Sequence, residues 1–288
     1  MRYGLLSPKV DFVFKKIFGN EKHPEILISF LNAVMNPINP IKSVKIRNSD
    51  IEKEHIEDKY SRLDIKATTN NGEEINIEIQ VKNEYNMIRR SLYYWSKMYE
   101  GQLTEGDNYN RLSKTVCINI LDFNYLKNDR FHNGYRLKEM TTNEELTDIE
   151  EIHFIELPKM QESNENEEVT DMLEAWIKFI NNPSSEVVKK LEMSVHEIKE
   201  AKDELVRLSG DKKEVELYEQ RKFVILDRVS DLENAEEKGK QIGKQEGLKK
   251  GKIAVAKNLL DVLDIETIAV KTGLSVDEVV NIKQGVRE

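Results

Sequence analysis

Leu63-Asp64-Ile65-Lys66, Asn70-Asn71-Gly72 and Ile77-Glu78-Ile79-Gln80-Val81-Lys82 read together as one β-hairpin. Asn-Gly between two runs of alternating apolar and polar residues is the strongest short-range hairpin signal. Side chains repeat every second residue along a strand, so Ile75, Ile77, Ile79 and Val81 share one face. Glu78, Gln80 and Lys82 share the other. Leu63 and Ile65 mark the apolar face of the first strand, which puts Asp64 on the polar one. Two carboxylates and an amide then converge on one side of a small sheet. Mg²⁺ suits that set, since it takes oxygen ligands, usually one or two carboxylates with water and substrate phosphate completing the shell. Gln80 can hydrogen-bond water or a phosphate oxygen but is no base. Lys82 would offset phosphate charge if the strand stays regular that far. Acids on the wet face of a hairpin are also ordinary, so spacing alone leaves a purely structural role open.

Working outward, Ser7-Pro8 reads as an N-cap with proline at the first helical position, followed by Val10, Phe14 and Ile17 and closed by Gly19. A second helix is expected from Pro24 to about Met35. Strand candidates follow at 43–48, 60–69, 74–82, 115–121, 134–140 and 151–157. A long helix over 87–105 separates the hairpin from the strand around Cys117, with Ile88, Leu92, Trp95 and Tyr99 as its apolar stripe. Strands interrupted by helices predict a mixed α/β sheet covered by helices.

Near 160 the composition changes. Gln161 to Glu168 is polar and acidic, and everything after about 169 is helical in pattern. Three regions are expected: a core over 1–160, a helical region over 161–237, and a Gly/Lys-rich helix with a short helical pair over 238–288. In the last, Gly239, Gly243, Gly247 and Gly251 recur every fourth residue among lysines 238, 240, 244, 249, 250, 252 and 257. Each glycine inside a helix costs about 1 kcal/mol against alanine. A lysine-rich linker helix, a close helix–helix contact between subunits and a phosphate-touching face all remain open. Residues 265–280 have helix–turn–helix spacing around Gly273-Leu274-Ser275, with few basic residues after the turn.

The chain has 288 residues, 39% hydrophobic and 34% charged, and a net charge of −9. That balance argues against a non-specific nucleic-acid coat protein, which would be basic, but not against a nuclease, whose site must itself be acidic. No apolar run reaches the length of a membrane span. Met1-Arg2-Tyr3-Gly4 leads into a charged helical pattern, and a cytoplasmic location is expected. One cysteine rules out an internal disulfide framework, and with five histidines it forms no cluster of zinc-ligand spacing. Cys117 is expected to be a buried, inert thiol.

The order of helix, strand, Asp64-bearing strand, Glu78-Ile79-Gln80 strand and long helix resembles the PD-(D/E)xK nuclease core. More closely, Ser7-Pro8-Lys9-Val10-Asp11-Phe12-Val13-Phe14-Lys15-Lys16-Ile17-Phe18-Gly19 resembles the opening signature of the Rpn family, the recombination-promoting nucleases also described as transposases. Ile77-Glu78-Ile79-Gln80, Arg90-Ser91-Leu92-Tyr93-Tyr94-Trp95 and the late Gly-x-x-x-Gly run are similar to that family too. The resemblance implies an α/β restriction-endonuclease-like mixed sheet flanked by helices, with an all-helical C-terminal region. It implies a metal-dependent DNA endonuclease of recombination or transposition, using Mg²⁺, or Mn²⁺ in vitro. Asp64 and Glu78 would be its metal carboxylates. Gln80 occupies the usual lysine position, a departure that Lys82 would cover in part. Asp11 would approach the site from the first helix, with local anchoring of that helix as its other role. Arg89 and Arg90 are candidates for phosphate contact. DNA is the expected partner, a homodimer is expected if both strands are cut, and no membrane is involved. The rival expectation is a DNA-binding or assembly protein that keeps the fold with little or no turnover.

Overall fold

The computed structural model of the chain describes residues 4–47, 65–160 and 169–285. Asp64 lies outside them, as do 161–168. Six strands form one sheet: β1 (Val44–Arg47), β2 (Ile65–Thr69), β3 (Glu74–Gln80), β4 (Thr115–Leu121), β5 (His132–Lys138) and β6 (Glu145–Glu156), in the spatial order β1-β2-β3-β4-β6-β5. The hairpin forms as expected. Gly72 takes φ +82° in the turn, which closes through Gly72 N–H to Thr69 O at 3.0 Å and Thr69 N–H to Glu73 O at 3.0 Å. Ile65 lies opposite Ile77, and Lys66 opposite Asn76. β3 runs parallel to β4, and β4 parallel to β6. Parallel neighbours need a long crossover, and α3 (Met87–Glu100) supplies the one between β3 and β4.

The first helix starts later than Ser7-Pro8 suggests. α1 is Asp11–Phe18, with Val10 extended at its N-cap. Ser7 instead builds a turn, its carbonyl accepting from Val10 N–H at 3.2 Å and its hydroxyl from Lys9 N–H at 3.4 Å. Such local side-chain bonds compete with helix. α2 is Pro24–Met35.

α3 is shorter than expected and rotated. It stops at Gly101, whose N–H reaches Lys97 O at 3.0 Å. The buried face is Met87, Ser91, Tyr94 and Met98, while Ile88 and Leu92 are nearly half exposed. The expected stripe is thus one residue, about 100° of helix, out of phase. Polar contacts decide the phase: Ser91 Oγ donates to Asn119 Oδ1 of β4 at 2.7 Å, and Trp95 Nε1 donates to Thr115 O at 3.1 Å. Trp95 keeps a half-buried place, stacked on Tyr99 with centroids 4.8 Å apart. Cys117 is buried under α3, and burial pushes its thiol pKa well above the ordinary range.

After the sheet come α4 (Met172–Asn181), α5 (Glu186–Ser194) and α6 (His196–Gly210). They are not a separate layer of their own. Trp176 on α4 is fully buried, edge-on to Phe18 of α1 at 5.2 Å and to Phe30 of α2 at 6.4 Å, and donates to Ser29 Oγ at 3.2 Å. Leu6 N–H reaches Ser209 Oγ of α6 at 3.0 Å. The first compact unit therefore extends to Phe223, and the boundary expected near 160 falls inside its shared core.

The second unit begins at Val224, within the 48-residue helix α7 (Lys212–Leu259). α7 stays helical through all four glycines, and, apart from the helix's own neighbouring backbone, nothing described lies within 4 Å of where a Cβ would stand on any of them. The expected helical pair is present as α8 (Ile265–Thr272) and α9 (Val276–Gln284). Gly273 joins them at φ +65°, Ser275 and Glu278 form a reciprocal capping box, and Ala256, Ile268, Ala269, Leu274 and Val279 make the local core.

Candidate metal site on the central hairpin

The polar side of β3 is not wet. Glu74, Asn76 and Glu78 alternate with Ile75, Ile77 and Ile79, yet all six are buried, because β2 and β4 flank this interior strand and the helices α1 and α3 pack on it. Glu78 is 1% exposed. Its face meets α3, and the first turn of that helix brings in Arg90. The Arg90 guanidinium pairs directly with Glu78 Oε1, and Gln80 Nε2 donates to the same oxygen at 3.0 Å. Glu78 Oε2 is buried and has no hydrogen-bond partner among the described residues.

Electrostatics agree with that geometry. Burial pushes the Glu78 carboxyl pKa above its ordinary value, against the opposing pull of Arg90 and Gln80. Burial also works against the charge on Arg90, but Glu78 outweighs it and raises the pKa. Arg90 lies 4.0 Å from Glu84 Oε2 and 5.5 Å from the centroid of the Tyr94 ring. A buried carboxylate with one oxygen accepting two hydrogen bonds and the other none is short of positive charge on the bare side. Glu78 Oε2 is the kind of hard oxygen donor that a divalent cation would take.

The other expected residues are placed as follows. Gln80 ends β3 and touches Glu78. Lys82 lies beyond the strand in a bend, half-buried. Asp11 opens α1 and its Oδ1 accepts from Phe12 N–H at 2.7 Å. Lys9 reaches Asp122 at 2.7 Å, and Asp122 N–H bonds Gln80 O at 2.9 Å, tying the approach to α1 to the end of β3. Arg89 is exposed, whereas Arg90, grouped with it from sequence, faces inward onto Glu78.

Three further residues share the Glu78 face. Asn76 is buried with Oδ1 unsatisfied among the described residues, and Lys66 stands opposite it. Glu74 is buried too: its Oε1 pairs with Thr68 and Arg47, and its Oε2 has no partner among the described residues. Strand alternation alone marks these positions; what it lacks is any sign that the face is covered. A separate triad, His23, Glu25 and Glu200, has ligand atoms within 4.8 Å of one another, but all three are partly exposed in the helical layer. A second polar network, also silent in the sequence, links Lys114, Arg136 and His153 to the buried Glu151, with His132 Nε2 2.9 Å from His153 Nδ1.

The family described as PD-(D/E)XK nuclease family transposase matches residues 8–235, a span that holds the whole sheet, Glu78 and Arg90. The chain belongs to that family. No curated protein and no solved structure matches it. The mixed six-stranded sheet flanked by helices, with its helical C-terminal region, is consistent with the PD-(D/E)XK nuclease fold. Membership supports a nuclease- or transposase-like function, and PD-(D/E)XK nucleases generally use divalent metals. Among the described residues no helix is long and apolar enough to cross a membrane.

Proposed function

We propose that this PD-(D/E)XK family member is a Mg²⁺-dependent DNA endonuclease acting in recombination or transposition. The observation that carries the reading is Glu78, a fully buried carboxylate on the central hairpin with one oxygen lacking a partner among the described residues. Glu78 and Asp64 would hold the ion. When bound, it supplies Lewis-acid polarisation of the phosphate and a water of lowered pKa. Gln80 holds Glu78 in place and offers its amide to water or phosphate, but it cannot take a proton. Arg89, exposed at the start of α3, is the proposed backbone contact. DNA is the proposed substrate, cut on both strands by a homodimer in a cytoplasmic setting.

Nicking of supercoiled plasmid by the purified protein tests this directly. Cutting is expected with Mg²⁺ or Mn²⁺, and loss of cutting with EDTA, with Asp64→Ala and with Glu78→Gln. Cutting that survives EDTA and both substitutions would falsify the proposal. A second reading, a DNA-binding protein with little turnover, is favoured by Gln80 standing where the superfamily has lysine. It predicts DNA retention without nicking, insensitive to Asp64→Ala.

A further inference from the structure

We infer that Arg90 is a positioning residue for Glu78: it fixes the carboxylate so that a single oxygen, Oε2, is presented to the metal, and it supplies the positive charge that Gln80 does not. The inference rests on the metal site proposed above and assigns a role within it. Its geometry is particular. Arg90 and Gln80 both load Oε1, so rotating the carboxylate would break two bonds, one of them charge-assisted. Arg90 is itself held. Its backbone N–H bonds Asn86 O at 3.0 Å in the first turn of α3, and its guanidinium lies near Glu84 and over Tyr94. The guanidinium fork, more rigid than an ammonium, is the group suited to such a clamp. Arg90 Nε, buried and without a partner among the described residues, leaves one donor of that fork uncommitted beside an uncommitted acceptor.

A contrary role is possible for the same contact: an arginine that occupies the place of the ion. The two differ in sign. A positioning arginine strengthens metal binding, and a competing one weakens it.

Mn²⁺ titration of the full chain, followed by the electron paramagnetic resonance signal of free Mn²⁺, reads that sign without any catalytic assay. Arg90→Met is expected to weaken Mn²⁺ binding by about 10- to 100-fold, the usual cost of losing a partner that orients a ligand. Far-UV circular dichroism should stay unchanged, and Arg90→Lys should regain part of the loss, since it keeps the charge but not the fork. Wild-type or tighter binding by a folded Arg90→Met overturns the inference. Should Arg90→Met not fold, Arg90→Lys decides: weaker binding than wild type supports the clamp, and equal or tighter binding overturns it. If wild type and Glu78→Gln bind Mn²⁺ alike, the metal site beneath the inference fails, an outcome separate from failure of Arg90 alone.

Discussion

Adding Mn²⁺ to the protein should raise its thermal stability, and Glu78→Gln should abolish that rise. An ion that binds only the folded state stabilises it by RT ln(1 + [L]/Kd), about 2.7 kcal/mol at a hundredfold excess over Kd. The first compact unit, ending at Phe223, has a size at which each kcal/mol moves Tm by about 2–4 °C. The expected shift is therefore about 5–11 °C. Glu78→Gln keeps the shape of the side chain and its bond to Gln80 but replaces the bare anionic oxygen with a weaker donor set. It also removes the direct counter-ion of Arg90 and leaves only the longer 4.0 Å contact to Glu84, so the metal-free protein should be less stable by up to about 3–5 kcal/mol, the cost when one partner of a buried ion pair is removed. The assay is differential scanning fluorimetry with and without Mn²⁺. Glu200→Gln serves as the control, because it disables the His23–Glu25–Glu200 triad and should retain the full shift. A folded Glu78→Gln that shows the wild-type Mn²⁺ shift, or a shift lost only in Glu200→Gln, refutes the placement of the ion on β3.

Three other outcomes follow from the packing and from the His132–His153 pair. Trp176→Ala should cost about 3–5 kcal/mol in urea denaturation, since it empties the contact between α4 and the Phe18–Phe30 pair; a cost below about 1 kcal/mol would mean that the helical layer is not part of that core. Truncation after residue 160 should give aggregated protein by size-exclusion chromatography, because it bares Phe18 and Phe30, and a soluble monodisperse fragment would count against the shared core. Acid should destabilise the fold between about pH 6.5 and 4. Burial and the neighbouring His153 hold the His132 pKa down to about 4 from an ordinary 6.5, so the folded form keeps it neutral and protonation as pH falls favours unfolding. The full drop corresponds to about 3 kcal/mol, reduced to about 2 because His132 is only half-buried. His132→Gln should flatten the stability profile over that range, and an unchanged slope would point to other groups.

The hairpin was legible because its signals are local. Asn70-Asn71-Gly72 prescribes the turn, and strict alternation through Ile75, Ile77 and Ile79 prescribes the faces. The position of Glu78 on the non-aliphatic face followed from that alone. Its burial did not, because alternation cannot distinguish a polar face open to water from one roofed by a helix. Arg90 shows the same limit. Beside Arg89 it reads as half of a basic pair, and only the phase of α3 sends one outward and the other inward. That phase escaped the apolar pattern because Ser91 and its partner Asn119, both polar, help to set it. The helical layer was legible as helices, but its attachment through Trp176 joins residues more than 140 positions apart and leaves no periodic trace.

The buried polar face of β3 is hard to explain as packing. The opposite face shows what packing alone requires there, three isoleucines, each at 3% exposure or less. On the polar face, Glu74 Oε2, Asn76 Oδ1 and Glu78 Oε2 are all buried without a partner among the described residues, and each such group costs about 1–3 kcal/mol. The Glu78–Arg90 pair does not recover that cost, because a buried ion pair replaced by apolar side chains of similar volume is often neutral or stabilising. Stability would thus be served as well or better by a leucine at 78 and a methionine at 90. The double substitution Glu78→Leu/Arg90→Met is accordingly expected to fold with a midpoint at or above wild type while losing all Mn²⁺ response. If it unfolds instead, the pair is a structural tie in its own right, and the bare oxygen no longer requires an ion to account for it.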